Sequence, residues 1–203
     1  MPSLQPLSRI ILASQSPRRL ELLRSLGLAV DVVASGYEEG PVPELSPADL
    51  ASHHAREKLG AALERRGGLV EVPMLAADTV VDLDGRALGK PRDLAEAAVM
   101  LKSLSGREHV VHTAFALVVP GRVERFDERA ATRVRFYDLE PGALAEYLAD
   151  GEPLDKAGAY GIQGRAASLV EAIDGDFYTV MGLPLARLVR MLRRLGFTLP
   201  PTK

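Results

Sequence analysis

The sequence predicts an α/β protein with a mixed β-sheet. In the first part of the chain short apolar strands lead directly into helices, which is the pattern of parallel strand–helix units, whereas later strands return through turns such as Asp84-Gly85, which is typical of hairpins. A chain of 203 residues is long enough for one substantial core. Because no repeat, low-complexity tract or linker interrupts it, we expect a single domain over residues 1–203, with residues 1–8 as a loose lead-in.

Composition argues against several classes of function. The chain carries 25 basic and 27 acidic residues, and a net charge of −2 does not favour a nucleic-acid coat or a polybasic membrane binder. It has no cysteine, which excludes disulfides, thiolate catalysis and cysteine metal sites. The sequence contains no apolar run long enough to span a bilayer and lacks the order of a signal peptide. We therefore expect a cytoplasmic protein that binds neither nucleic acid nor membrane.

The first element is a strand over residues 9–12 that runs straight into a helix. Ser16 stands at the N-cap of this helix and Pro17 at its first position. Its first turn carries Arg18 and Arg19, and cations there are unfavourable by about 0.3–1 kcal/mol each unless an anion lies among them. Serine hydroxyls, free amides and two guanidinium groups at such a turn indicate a phosphate site. Two solvated arginines on an ordinary helix are the alternative.

Apolar periodicity and turn residues predict the remaining elements. Strands are predicted at 30–33, 69–83, 86–90, 110–119, 123–126, 132–136 and 168–173. Helices are predicted at 46–63, 93–104, 140–148 and 183–195, each beginning at or beside a proline or a capping residue. Residues 151–164 are too rich in glycine for a regular element.

Asp78 interrupts a strand that is otherwise apolar enough to be buried. An ionised carboxylate in such a strand is costly unless a cation or a metal compensates it. If the hairpin turn consists of residues 84–85, the register places Lys90 opposite Thr79 and therefore beside Asp78. This geometry predicts a shared ligand site, and a plain Asp–Lys ion pair that holds the hairpin is the alternative.

The other candidate residues carry weaker signals. Glu38 and Glu39 are adjacent carboxylates in a turn-rich loop, and Lys58 lies beside the apolar stripe of a helix, where a snorkelling surface lysine is the alternative. The glycines of residues 158–164 permit the close backbone approach that a flat ring or a phosphate requires. Gln163 in this loop offers a donor and an acceptor to the edge of a base.

Six segments occur together in an order that points to one family. They are residues 12–19, 55–58, 77–81, 89–91, 155–164 and 178–184. In this order they resemble the Maf family of nucleoside triphosphate pyrophosphatases, also called septum-formation-inhibitor-like proteins, over nearly the whole chain. The resemblance implies a mixed α/β fold like that of the inosine triphosphate pyrophosphatases, with two lobes around a cleft. It also implies hydrolysis of a nucleoside triphosphate to the monophosphate and pyrophosphate with Mg²⁺ or Mn²⁺, and it suggests a homodimer.

The resemblance also assigns site residues by motif position. The phosphate, metal and catalytic set that it implies is Ser14, Arg18, Arg19, Glu39, Lys58, Asp78 and Lys90. The positions that it associates with base preference are Arg18, Thr79 and Gln163. The late loop is similar to the branch of the family that prefers dTTP and UTP, whereas the other branch prefers 7-methyl-GTP.

The chemistry of these residues agrees with the resemblance. A triphosphate bears about four negative charges near neutral pH, which arginine and lysine side chains can offset. Glu39 and Asp78 supply hard oxygen ligands, and Mg²⁺ typically takes one or two carboxylates plus substrate phosphates. We expect these two residues to hold the metal and Asp78 also to orient or deprotonate the attacking water. Lys58 and Lys90 complete the expected catalytic group.

Two alternatives stay open from the sequence. One is a 7-methyl-GTP pyrophosphatase of the same family, and the other is a nucleotide-binding regulator of cell division whose hydrolysis is incidental. The sequence also departs from the family pattern in two places. Tyr37-Glu38 stands where many relatives carry an aspartate before the key glutamate, and His53-His54 occupies a helical stretch that often bears an aromatic and an apolar residue.

Overall fold

A mixed sheet of seven strands and a separate pair of short strands organise the residues that the structure describes. The computed structural model of the chain describes residues 4–149 and 152–201, and of residue 152 it describes only the backbone. The strands in these ranges are β1 (Gln5–Pro6), β2 (Arg9–Leu12), β3 (Ala29–Val32), β4 (Met74–Leu83), β5 (Arg86–Leu88), β6 (Glu108–Val118), β7 (Phe126–Phe136), β8 (Val170–Asp174) and β9 (Phe197–Thr198). The α-helices are α1 (Pro17–Ser25), α2 (Pro47–Arg65), α3 (Leu94–Leu104), α4 (Pro141–Ala149), α5 (Phe177–Met181) and α6 (Leu185–Arg194). Short 3₁₀ turns lie at Glu152–Asp155, Ala157–Ala159 and Gly164–Leu169.

The strand order across the sheet is β3-β2-β4-β6-β7-β8, and β5 also pairs with β4. β2 is parallel to both β3 and β4, whereas the pairings among β4, β5, β6, β7 and β8 are antiparallel. Parallel neighbours need crossover connections, which α1 and α2 supply between β2, β3 and β4. The structure therefore confirms the predicted α/β fold with a mixed sheet.

Three helices begin where the sequence predicts. Ser16, Ser46 and Asp93 each accept a hydrogen bond from the backbone N–H three residues later and so cap α1, α2 and α3. None of the helices in the described ranges combines the length and the apolar character that a membrane crossing demands.

The two edges of β4 are paired differently. β6 pairs with β4 continuously from Met74 to Asp82. On the opposite edge β2 pairs only with Met74 and Leu75, and β5 only from Val81 onward. Between them, no strand in the described part of the chain pairs with residues 76–80 on this edge. We call this interval the β4 gap.

Side chains alternate along β4 and divide the core. Ala76 and Val80 face α2 and belong to one apolar cluster. On the other face Ala77 belongs to the cluster of α1 and α6, and Val81 to the cluster of α3 and α4. Thr79 lies between these two clusters. The β4 gap therefore lies where these two clusters adjoin along the strand.

Three of the predicted strands are wrong in extent. The strand predicted at 69–83 begins only at Met74, and Leu69 before it is 81% exposed. The strands predicted at 123–126 and 132–136 form the single strand β7. Buried and exposed residues alternate only in the second half of β7, because its first four residues are partly or fully exposed. The first half therefore carries no alternation of apolar residues from which the sequence could predict a continuous strand.

The predicted pairing of Lys90 with Thr79 is also wrong. The register of the hairpin is as expected, but β5 ends at Leu88. The next residue, Gly89, leaves the hairpin, and its carbonyl accepts a hydrogen bond of 3.0 Å from the Gly158 N–H. Lys90 therefore reaches the site from outside the sheet.

Residues 1–8 are not wholly a loose lead-in. β1 pairs in parallel with β9, and Leu7 is buried, whereas residues 1–3 lie outside the described residues. The sequence predicts neither these two strands nor α5, because elements of two and five residues are too short to show a periodic pattern.

His109 of β6 is a buried titratable group within the cluster of α3 and α4. Its ring meets those of Phe136 and Tyr160 edge-on, at centroid distances of 5.0 and 5.4 Å. Its Nε2 atom lies 2.7 Å from the Tyr160 hydroxyl. Burial lowers the pKa of His109 to about 4.

This low pKa predicts a loss of stability in mild acid. An unfolded histidine has a pKa of about 6.5, so between pH 6.5 and 4 the unfolded chain binds a proton that the folded chain does not. We expect the stabilising contribution to be complete above pH 6.5 and to fall by about 3 kcal/mol as the pH approaches 4. Urea denaturation of the wild type and of H109Q between pH 4.5 and 7 measures this difference. Identical pH slopes for the two proteins would contradict it.

Candidate active site

Lys58 of α2 lies buried between two carboxylates at the β4 gap. Its Nζ atom is 2.6 Å from Asp78 Oδ1 and 2.6 Å from Glu39 Oε1. Lys58 and Asp78 are only 7% and 4% exposed. Lys90 Nζ lies 4.0 Å from the same Glu39 oxygen, and its side chain is 57% exposed. Positive and negative groups thus alternate in space, and this order compensates charges that would be costly to bury alone.

Glu39 keeps its charge in this setting. Burial by itself would raise the pKa of Glu39, but Lys58, Lys90 and Arg19 outweigh that effect and hold the pKa below its usual value. Glu39 is therefore an ionised carboxylate at neutral pH.

Arg19 is the most constrained cation of the site. Its Nε–H donates to the Gly182 carbonyl at 2.8 Å, and its two terminal nitrogens donate to Ser14 Oγ at 3.2 Å and to Thr79 Oγ1 at 3.0 Å. Burial lowers the pKa of Arg19, and the carboxylates of Asp78 and Glu39 oppose this shift. Because the guanidinium group of arginine is not deprotonated in proteins, Arg19 stays charged at neutral pH. Three of its five N–H groups are used in these bonds, and they fix the plane of the guanidinium.

The late glycine-rich loop packs against Arg18. Arg18 lies 3.7 Å from Asp155 Oδ2, and Lys156 Nζ lies 2.7 Å from the other oxygen of that carboxylate. A Cβ at Gly161 would stand 2.8 Å from Lys156 Cε, and one at Gly158 would contact the side chain of the β4 residue Val81. These two glycines therefore permit a close approach of the loop to protein side chains, and its approach to a ring or a phosphate stays a prediction.

Two residues that depart from the family pattern contact each other. The Tyr37 hydroxyl lies 3.0 Å from Nδ1 of the buried His54. His54 and Lys58 are four residues apart and lie on one face of α2. Tyr37 and Glu39, which contact them, lie in one loop. Two adjacent contacts therefore tie this loop to α2. Burial lowers the pKa of His54, although Asp78 and Glu39 oppose the shift, so the ring is neutral at neutral pH.

The structure brings most of the predicted residues together. One hydrogen-bonded group contains Ser14, Arg19 and Thr79. A second, ion-paired group contains Glu39, Lys58, Asp78 and Lys90. Gln163 is exposed and makes no hydrogen bond within the described residues. Sequence reasoning noted the pair His53-His54 and the segment 155–164 but did not single out His54, Asp155 or Lys156 as site residues. The four-residue spacing of His54 to Lys58 is a signal that could have identified the first of them.

The family model described as Maf-like protein matches residues 9–195. The chain belongs to the Maf family. Five of the six segments that carry the Maf resemblance, at residues 12–19, 55–58, 77–81, 89–91 and 155–164, supply most of the side chains described above, and the sixth supplies the Gly182 carbonyl. Tyr37, Glu39 and His54 lie outside these segments.

Named relatives of this Maf chain share one activity in their names. This chain is 47% identical over 188 residues to the dTTP/UTP pyrophosphatase of Bacillus velezensis, and the match covers 93% of this chain and 97% of that protein. It is equally 47% identical over 188 residues to the dTTP/UTP pyrophosphatase of Thermus thermophilus, with 93% and 95% covered. The solved Ham1 protein of Staphylococcus aureus overlaps it with a TM-score of 0.43 at 15% identity, covering 64% of this chain and 72% of that one. The fold assignment made above rests instead on strand order and register.

The buried ion pair predicts a large effect of removing Lys58. In K58M the carboxylate of Asp78 stays buried without its cation, so we expect a loss of about 3–5 kcal/mol in the free energy of unfolding. Guanidinium denaturation of the free protein measures this loss. K58M/D78N should recover part of it, because the buried charge is then absent.

K90M is the matched control, since it removes a lysine that is more than half exposed, and it should change stability by less than about 1 kcal/mol. Equal stabilities of K58M and K90M would refute the compensating role of Lys58.

Proposed function

We propose that this protein hydrolyses dTTP and UTP to the monophosphate and pyrophosphate by attack of water on the α-phosphorus. The observation that carries the proposal is the buried carboxylate of Asp78 at the β4 gap. Lys58 holds this carboxylate, and the next residue, Thr79, accepts a hydrogen bond from Arg19. The two relatives named above support the choice of substrate.

The cations around the gap suit a polyphosphate. Arg19 is fixed by three hydrogen bonds, whereas Lys90 is largely exposed and, among the described residues, has one carboxylate within 4.0 Å, that of Glu39. We assign Arg19 to a fixed phosphate contact and Lys90 to a contact that forms when the nucleotide arrives. Ser14 fixes one side of Arg19 and lies in the same strand-to-helix turn, where a helix N-terminus favours phosphate.

Glu39 and Asp78 are the residues that would hold a divalent cation. Both contact the Lys58 ammonium at 2.6 Å, so the two carboxylates lie close together, and each has a second oxygen that this contact does not use. Mg²⁺ and Mn²⁺ prefer such oxygen ligands, and Mg²⁺ is commonly held by one or two carboxylates with water and substrate phosphates. No group of three acidic, histidine or cysteine ligands exists among the described residues, which suits a metal that shares its ligands with substrate. When bound, the metal would offset negative charge on the phosphates.

In the proposed step Asp78 accepts a proton from the attacking water. The water oxygen forms a bond to the α-phosphorus, the bond from that phosphorus to the bridging oxygen breaks, and pyrophosphate leaves with the electron pair. Arg19, Lys58 and Lys90 stabilise the charge that develops on the phosphates. The Asp78 carboxylate is held for this step by the Lys58 ammonium, whose Nζ atom lies 2.6 Å from Oδ1.

Further features belong to the same proposal. Arg18 and Gln163 are accessible from solvent and would act with Thr79 in base preference. We propose a single domain, which the match of one family model over residues 9–195 supports, and a homodimer in the cytoplasm. Light scattering on the purified protein tests the assembly state.

Replacing the proposed base tests the mechanism. We expect D78N to lower kcat by about 10²–10⁴-fold, the usual contribution of a general base, while binding of a non-hydrolysable UTP analogue changes only a few-fold. Pyrophosphate release with Mg²⁺ is measured over UTP, dTTP and 7-methyl-GTP. D82N, four residues along the same strand, is the control and should keep nearly wild-type turnover.

The possible outcomes separate the alternatives. Turnover of D78N close to that of the wild type would eliminate the base role. A preference for 7-methyl-GTP would favour the other branch of the family, and no pyrophosphate from any nucleotide would favour the regulator. Chelation of divalent metal should abolish turnover, and added Mg²⁺ or Mn²⁺ should restore it.

A further inference from the structure

Thr113 of β6 is a fully buried polar residue next to the site. It is the cross-strand neighbour of Thr79, and it has no measurable exposed surface. Its Oγ1 atom lies 2.9 Å from Thr79 Oγ1 and 2.7 Å from the Thr179 carbonyl oxygen of α5. Thr79 Oγ1 in turn lies 3.0 Å from a terminal nitrogen of Arg19. Four groups therefore form one continuous chain of hydrogen bonds.

The chemistry of its two ends fixes the direction of this chain. A carbonyl oxygen only accepts, so the single hydroxyl hydrogen of Thr113 must point to Thr179. A guanidinium only donates, so Thr79 must accept from Arg19. The remaining contact has one consistent arrangement, in which the Thr79 hydroxyl donates to Thr113. Reversing it would leave both the Thr179 carbonyl and the Thr79 hydrogen without their partners in this chain.

We propose that Thr113 is a positioning residue for Arg19, acting through the hydroxyl of Thr79. Thr113 gives the Thr79 hydrogen its acceptor, which turns a lone pair of Thr79 toward Arg19 and holds the guanidinium at the β4 gap. The inference rests on the proposed function only where it concerns turnover, because the arrangement itself is a property of the free protein.

Both ends of the arrangement lie on α5 and the residue that follows it. The chain through the two threonines ends at the Thr179 carbonyl, and Arg19 Nε–H donates directly to the Gly182 carbonyl. Gly182 adopts φ +108°, and a Cβ there would lie 3.4 Å from Thr79 Oγ1 and 3.5 Å from Arg19 Nε. The segment after β8 is therefore fitted closely around the Arg19–Thr79 contact, and α5 fixes the guanidinium from two sides.

This arrangement changes the role expected for Thr79. Its only hydrogen is committed to Thr113, so it has no donor left for a nucleotide base. Toward a nucleotide base Thr79 can therefore act only as an acceptor, through the lone pair that Arg19 does not use, and it also acts on substrate indirectly by holding Arg19.

The test compares T113V, which has nearly the same shape without the hydroxyl, with T113S, which keeps it. We expect T113V to lower kcat/KM for UTP on the order of 10–100-fold and T113S to stay within about threefold of wild type. T79V should lower kcat/KM to a similar extent as T113V. The kcat/KM of the double variant T79V/T113V should lie within about threefold of that of either single variant, because all three variants break the same chain of hydrogen bonds. Multiplied losses in the double variant, or an active T113V equal to wild type, would overturn the proposal.

A second measurement uses the free protein and does not depend on turnover. In ¹⁵N-labelled wild type and T113S, we expect slowly exchanging side-chain N–H signals from Arg19, assigned with R19K. In T113V the terminal N–H signals should broaden or exchange faster. Unchanged Arg19 signals in a folded T113V would reject the positioning role. A wild type that hydrolyses no nucleotide but shows the expected signals would instead refute the proposed function and leave this inference intact.

Discussion

A carboxylate in the middle of an apolar strand constrains the structure around it. The buried Asp78 of β4 is compensated by Lys58, which reaches it from α2, and the buried Lys58 is compensated in addition by Glu39. Glu39 lies on a loop without regular structure, and that loop is tied to the same helix one turn earlier by the contact of Tyr37 with His54. The buried Asp78 therefore requires Lys58, and the buried Lys58 requires Glu39. The position of the loop that carries Glu39 thus follows from the position of Asp78.

The β4 gap makes this charge useful. Alternation along a strand places Asp78 and Thr79 on opposite faces of the sheet, so their partners Lys58 and Arg19 would normally be separated by the strand itself. Because β2 has ended and β5 has not begun, the edge of the strand is open at these residues, and α1 starts beside it. The carboxylates on one face then act electrostatically on Arg19 on the other. The interruption of the sheet thus brings the hydrogen-bonded group around Arg19 next to the ion-paired group around Lys58.

The sequence predicted correctly those features that depend only on neighbouring residues. The start of α1, with its serine cap, proline and two arginines, needs only neighbouring residues and is confirmed. Lys90 shows where such reasoning ends, because the hairpin register is right but a hydrogen bond to Gly158, about seventy residues away, ends β5 early. Thr113 could not be found from sequence, since a threonine in a strand is ordinary until its neighbours across the sheet and in α5 are known. Long-range contacts decide both cases.

The charges around the gap also bear on why a metal belongs to the proposal. The interacting side chains described there carry five cations, Arg18, Arg19, Lys58, Lys90 and Lys156, and three carboxylates, Glu39, Asp78 and Asp155. Their sum leaves two positive charges, whereas a triphosphate brings about four negative ones. The carboxylates cannot be removed to improve this balance, because they keep the lysines buried. In the proposed mechanism a divalent cation held by Glu39 and Asp78 would supply the missing charge, through two carboxylates that also compensate buried Lys58.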